Sequence, residues 1–141
     1  MFIAKATRHD RDDIREFLEK NEWDTEYVGV GTTLIARAGA VVGCIRLVEV
    51  GPQMVALDDV IVDEAKRGEG VGRRLMEAAM NNRGGTLYLC CHDDVLDFYA
   101  KFGFTQKPFE ELPEEAQEYF KSVDDWPVAP DHGQHFFLTA R

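Results

Sequence analysis

The chain has 141 residues, 45% hydrophobic and 11% aromatic, a globular composition at the size of one domain (1–141) that excludes a disordered or fibrous protein. Lys and Arg number 16 against 26 Asp and Glu, a net charge of −10, which argues against nucleic acid held on a basic face and against docking on anionic lipid. It suits a cationic partner or substrate, or simply a solvated acidic surface. No apolar run of about 18 residues predicts a membrane span, and the N-terminal stretch lacks the apolar core of a secretory signal. Cys44, Cys90 and Cys91 form no disulfide framework and read as free thiols of a cytoplasmic protein.

Phe2–Ala6 is predicted as a first strand. His9-Asp10 after Thr7 opens a helix over 10–20, with Ile14, Phe17 and Leu18 at helical spacing. Residues 21–31 read as a loop holding a short helix. Thr32–Arg37 and Val41–Val50 are β-rich runs around Ala38-Gly39-Ala40, a hairpin pattern that Gly51-Pro52 ends. Met54–Val62 is a strand with two aspartates inside it, and a charged, glycine-rich loop covers 63–72. Val71, Leu75, Met76, Ala79 and Met80 predict a helix over 70–81, closed by Arg83-Gly84-Gly85. Thr86–Cys91 is a strand of buried type. Val95, Phe98 and Tyr99 form a helical stripe within 94–102, with Gly103 as its stop, and Phe104–Gln106 starts a short strand. From Lys107 to Gly133 the composition turns acidic, and Pro113–Lys121 is a helix inside it with proline and glutamates at its start. His135–Thr139 is the last strand. This order predicts a mixed α/β fold, a sheet with helices on its faces.

The most informative stretch runs from Val60 to Leu75: strand, glycine loop, helix. Gly68, Gly70 and Gly72 let the backbone approach a ligand, and the helix start behind them is an anion site. Lys66, Arg67, Arg73 and Arg74 cluster there against the acidic background, which suggests a phosphate or pyrophosphate. A Walker loop would need Gly-Lys-Ser/Thr, and a dinucleotide fingerprint G-x-G-x-x-G; neither is present. On the glycine loop alone, a plain turn before a solvated helix start is an equal reading.

The loop does not stand alone. Arg67-Gly68-Glu69-Gly70-Val71-Gly72 resembles the R/Q-x-x-G-x-G/A signature of the GNAT superfamily of N-acetyltransferases, and Phe98-Tyr99-Ala100-Lys101-Phe102-Gly103-Phe104 resembles that family's FYxKxGF segment, one helix and one strand later. The resemblance covers about residues 2–106. It implies the GNAT fold, with a mixed, mostly antiparallel, splayed sheet, and acetyl-CoA as cosubstrate.

By that resemblance the strand at 57–62 splays from the strand at 86–91. Val60, Ile61 and Val62 then offer main-chain contacts to the pantetheine arm, while the backbone of Arg67, Gly68, Glu69, Gly70, Val71, Gly72 and Arg73 wraps the pyrophosphate. A splayed strand leaves unpaired N–H and C=O groups that need a partner, so the physical logic agrees. Tyr99 matches the tyrosine that protonates the departing thiolate in many members, although it could instead pack as an aromatic on the helix stripe. His92 stands where many members carry an asparagine bonded to the cofactor arm. Its ring could donate there, act as a base, or lie in solvent. Asp58 occupies a place where some members carry a base. Asp58 and Asp59 lie on opposite faces of an ideal strand, and either could instead bond to backbone or pair with an arginine such as Arg46.

His132 and His135 share a spacing seen in metal sites, and Cys90, Cys91 and His92 form a second such group, but no second Cys-x-x-Cys accompanies them and acetyl transfer needs no metal, so none is expected. Trp23, Tyr27 and Trp126 could line an acceptor pocket or cover core. The 107–133 segment is an insertion before the last strand. It reads as a solvated helix or as an acidic lid that attracts cationic amines. The expected function is acetyl transfer from acetyl-CoA to a primary amine of a small, cationic molecule by direct attack in a ternary complex. Asp58 is the expected proton acceptor, and Tyr99 stabilises the thiolate. Protein or peptide acetylation, and a non-catalytic acyl-CoA sensor, are the alternatives. The oligomeric state is open, a homodimer included.

Overall fold

The computed structural model describes residues 1–81, 85–128 and 133–141. In chain order they form β1 (Phe2–Lys5), α1 (Arg11–Lys20), β2 (Thr32–Ala38), β3 (Ala40–Gly51), β4 (Met54–Val62), α2 (Val71–Met80), β5 (Thr86–Cys91), α3 (Leu96–Ala100), β6 (Thr105–Lys107), α4 (Glu114–Ser122) and β7 (Phe136–Ala140). The strands make one seven-stranded sheet in the order β1-β2-β3-β4-β5-β7-β6. The β1–β2, β2–β3, β5–β7 and β6–β7 pairs are antiparallel and β4–β5 is parallel, so the expected mixed, mostly antiparallel sheet with flanking helices is what the chain forms. No helix among the described residues is long and apolar enough to cross a membrane.

The backbone groups into two compact units, Met1–Val48 with Asp58–Arg83, and Glu49–Leu57 with Gly84–Arg141. In the first, β1 pairs with β2 and β2 with β3, with an irregularity between Ala36 and Arg37. The predicted stripe on α1 buries Ile14, Phe17 and Leu18 against Ile35, Val41, Cys44 and Ile61. Truncating a side chain buried as fully as Leu18 to alanine costs about 2–5 kcal/mol. Helix α2 buries Val71, Leu75, Met76 and Ala79. A Cβ at Gly43 would stand 2.9 Å from Val71 Cγ1 and 3.0 Å from Leu75 Cδ1, so the missing side chain on β3 is what lets the first turns of α2 sit so close.

In the second unit, β7 lies between β5 and β6 and pairs antiparallel with both. Its core joins Tyr88, Phe109, Leu112, Ala116, Phe120 and Phe137, and Trp126 stacks on Phe109 at 4.4 Å between ring centroids. The acidic insertion is therefore half core: α4 turns Ala116 and Phe120 inward and leaves Glu114 and Glu115 at its N-terminal turn, where they suit the helix dipole. Strands β4 and β5 are in parallel register at Met54↔Thr86, Val55↔Leu87 and Ala56↔Tyr88.

Two elements differ from expectation. Residues 21–31 contain no helix but successive turns, because Gly29 and Gly31 take positive φ (91° and 75°) and end any helical run. The expected 94–102 helix divides into a 3-10 turn at Asp93–Val95 and the short α3, with Val95 at φ −115° as the break. Gly103 closes this segment as expected. At φ 87° its N–H bonds the Ala100 carbonyl, and the Phe104 N–H bonds that of Tyr99. Arg83-Gly84, expected to end α2, lie outside the described residues.

Candidate functional site

In the first unit the chemistry gathers on β4 and on the loop after it. Arg46, on β3, is 2% exposed. A buried guanidinium needs carboxylates, and β4 supplies two. Its Nε donates to Asp59 Oδ2 at 2.8 Å and its Nη2 to Asp58 Oδ2 at 3.2 Å, while its Nη1 reaches the Val30 carbonyl at 3.5 Å. The guanidinium also lies over the Tyr27 ring, 5.2 Å from its centroid. The expected opposite-face placement of the two aspartates does not occur. Asp59 has φ 49°, which breaks the two-residue alternation, and both carboxylates converge on one arginine. This left-handed backbone costs on the order of 1–2 kcal/mol in a non-glycine residue. Three bonds offset it: Arg46 to Asp59, Trp23 Nε1 to Asp59 Oδ1 at 2.9 Å, and the Asp59 N–H to Asp58 Oδ1 at 2.9 Å.

Trp23 is aimed by the end of α1. Glu22 takes φ 58°, its N–H bonds the Glu19 carbonyl, and the Trp23 N–H bonds that of Leu18. That closes the helix with a Schellman pattern and turns the chain toward β4. Cys44 donates its S–H to the Asp59 carbonyl at 3.3 Å, and burial pushes its thiol far up, so it serves packing and not nucleophilic chemistry.

The loop from Asp63 to Gly70 is tightly held at its start. Asp63 accepts from Lys20 Nζ at 3.0 Å and from the Ala65 N–H at 3.2 Å, and these bonds, the lysine's first, hold its carboxyl below the usual carboxylate range. Further on, Gly68 and Gly70 take φ 84° and 81°. Gly70 is the N-cap of α2, no side chain caps that helix, and its first turn holds no acidic residue. The N terminus of α2 thus presents backbone N–H groups and the positive dipole end with no side-chain cap bonded to them and no acidic residue in the first turn. Arg67, Gly68, Glu69 and Arg73 are exposed, Gly70 and Gly72 half-buried, and Val71 buried. Arg73 Nη1 is paired with Glu77 at 2.8 Å, on the outside of the helix. Of the strand residues expected to offer main-chain contacts, Ile61 packs its side chain into the core, and Val60 and Val62 are half-buried.

In the second unit, Tyr99 on α3 is 6% exposed and stands edge-on to Phe98 and Phe104, with ring centroids 5.1 and 5.9 Å away. It is both on the aromatic stripe and in the segment the resemblance singled out. His92 is exposed, caps no helix with its side chain, and meets His135 edge-to-face at 5.0 Å. Cys91 is buried, which pushes its thiol up to about 11 and keeps it protonated at neutral pH. His132 lies outside the described residues. Three residues that spacing did not group, Cys90, Asp125 and His135, place their ligand atoms within 4.8 Å of one another. Chain separations of 35 and 10 residues leave such a cluster without any local signal. Arg46 was legible as a partner for the aspartates, because an arginine inside an apolar strand demands carboxylates.

A family model described as an acetyltransferase (GNAT) domain matches residues 29–106. Glucosamine 6-phosphate N-acetyltransferase 1 of Oryza sativa subsp. japonica is 35% identical over 80 residues, 54% of this chain and 48% of the rice protein, so the match spans about half the length of that relative. An acetyltransferase of the GNAT family from Staphylococcus aureus Mu50 has TM-score 0.69 at 20% identity, covering 98% of this chain and 96% of that one. N-acetylglutamate synthase from Neisseria gonorrhoeae, in complex with coenzyme A and N-acetyl-glutamate, has TM-score 0.72 at 16% identity over 100% of this chain and 35% of that one. At these last two identities the likeness is one of fold.

Proposed function

Because the chain belongs to the GNAT acetyltransferase family, we propose that it transfers an acetyl group from acetyl-CoA to a primary amine. The observation that carries this reading is the start of α2, with two glycines at positive φ ahead of it and no side-chain hydrogen bond capping it. A pyrophosphate fits that donor set, because it brings negative charge and many acceptors to a helix end that lacks both. The backbone of Arg67 to Arg73 would hold it, and main-chain groups of Val60, Ile61 and Val62 would pair with the amide-bearing arm, with His92 donating to the same arm. When bound, acetyl-CoA supplies a thioester acyl group and a thiolate leaving group.

The remaining chemistry falls to side chains. Ammonium has no lone pair, so Asp58, directly or through a water, takes a proton from the amine before it attacks. Arg46 fixes the position of the Asp58 carboxyl through its Nη2, 3.2 Å from Oδ2. Tyr99 donates its phenolic proton to the departing sulfur, and the phenolate is then reprotonated from solvent. The acceptor is a small cation in this reading. It is supported by the net charge of −10. A phosphorylated amino sugar is the second acceptor class, favoured by the identity to the rice protein.

Steady-state kinetics of Asp58→Asn and Tyr99→Phe across pH test the assignment. Each is expected to lower kcat by about 10²-fold or more, with KM for acetyl-CoA little changed, and Asp58→Asn should also flatten the acidic limb of the profile. Full turnover in both variants would remove the two residues from the chemistry.

A further inference from the structure

We propose that Cys90, Asp125 and His135 form a zinc-binding site in the second unit. Three segments supply it: β5 carries Cys90, the turn after α4 carries Asp125, and His135 stands just before β7. All three side chains are half-buried. A thiolate, an imidazole and a carboxylate make a donor set that zinc accepts and that magnesium and calcium do not favour. Thiolate and carboxylate together also balance the ion's two positive charges.

The geometry needs little adjustment. Tetrahedral zinc, with bonds of roughly 2.0–2.3 Å, sets its ligand atoms about 3.5 Å apart. The three atoms here lie within 4.8 Å of one another, so side-chain rotation of about an ångström closes the set. The histidine is already oriented. Its Nδ1 lies 3.0 Å from the Asp125 carbonyl. A carbonyl can only accept, so Nδ1 is the donor in this contact and Nε2 is the nitrogen left for a metal. Metal-bound histidines commonly make this second bond.

The supporting backbone is fixed from both sides. Asp124 has φ 63°, its N–H bonds the Lys121 carbonyl, and the Asp125 N–H bonds that of Phe120, which locks Asp125 directly behind α4. The next residue, Trp126, is stacked on Phe109. Cys90 and His135 are brought together by the β5–β7 ladder, where Cys91 pairs with Phe136 and Cys90 with Phe137. The His92 ring, 5.0 Å from that of His135, adds a second imidazole beside the three donors. On binding, the Cys90 thiol loses its proton to solvent as the metal–sulfur bond forms, and no redox step is involved.

Cobalt titration of the chelator-treated full chain tests the site, with zinc competition as a second arm. The expected result is a thiolate-to-cobalt charge-transfer band that saturates at one equivalent and is bleached by zinc. Cys90→Ser should abolish that band, His135→Ala should weaken cobalt binding by at least ~10-fold, and Cys91→Ser should leave both unchanged. Circular dichroism identifies folded variants, with His135→Gln as a second substitution should alanine unfold the chain. A folded wild-type protein without the charge-transfer band, or a band that survives Cys90→Ser, would overturn the proposal, and neither result depends on acetyl transfer.

Discussion

At Arg46 one buried guanidinium meets two carboxylates, a carbonyl and the face of a tyrosine. Removing it leaves Asp58 and Asp59 partly buried without their cation, with side chains 26% and 12% exposed. Arg46→Met is therefore expected to cost about 3–5 kcal/mol, read from urea unfolding, where a surface ion pair would cost no more than about 1 kcal/mol. An unchanged midpoint would mean the aspartates find other partners. The need for a cation here was legible, since VVGCIRLVEV and MVALDDVIV each carry charge inside an apolar strand. The convergence on a single arginine was not, because it depends on the positive φ of Asp59, and aspartate only permits that conformation without requiring it. The same holds for Trp23, whose bond to Asp59 crosses 36 residues of chain.

At the scale of elements, α2 is placed by two glycine-dependent features, its N-cap and its approach to β3. Gly70→Ala forces a Cβ into φ 81° and should cost roughly 1–2 kcal/mol. It should also raise KM for acetyl-CoA more than it lowers kcat, since it disturbs the proposed pyrophosphate cradle. Equal KM in a folded variant would separate the loop from coenzyme binding. Gly43→Ala makes a different demand. Its Cβ would meet Val71 and Leu75 of α2, so the helix start must shift by tenths of an ångström, and a lower thermal midpoint is expected. Lys20 and Asp63 tie the end of α1 to the start of the loop. Asp63 is held below its ordinary 3.8 in the folded chain, so its contribution is present above that value and fades as pH falls below it. The thermal midpoint of Asp63→Asn should accordingly converge on wild type at the acid end, and Lys20, being largely exposed, should make the difference shrink with salt. The glycine loop and the stop at Gly103 were legible because glycine recurs where backbone needs positive φ, while the rest of the FYAKFGF segment was legible only through its resemblance to the family. The 21–31 turns were not, because their apolar spacing imitates a helical turn while Gly29 and Gly31 forbid one.

At the scale of the whole molecule, the sequence pattern named the strands well but not their neighbours. Met54–Val62 and Thr86–Cys91 are strands with the predicted bounds. Yet the last strand, β7, inserts between β5 and β6, and alternation of apolar residues carries no information about such pairing. The acidic 107–133 insertion likewise read as surface, and only the fold turns Phe109, Ala116 and Phe120 into core. Net charge acts over the whole surface. A cationic acceptor should be drawn in by the charge of −10, so its KM should rise as ionic strength goes from about 0.01 M to 0.15 M, while KM for a neutral amine stays flat. Parallel behaviour of both acceptors would remove charge as the selector.

The most direct test of the central claim is thiol release from acetyl-CoA by the purified chain against a panel of polyamines, amino acids, amino sugar phosphates and short peptides. Acetyl-CoA-dependent, saturable turnover with an amine, absent when that amine is omitted, is the expected result, with small cationic amines the best acceptors. Saturable coenzyme binding with no thiol release for any acceptor would contradict it and leave a chain that binds the coenzyme without using it.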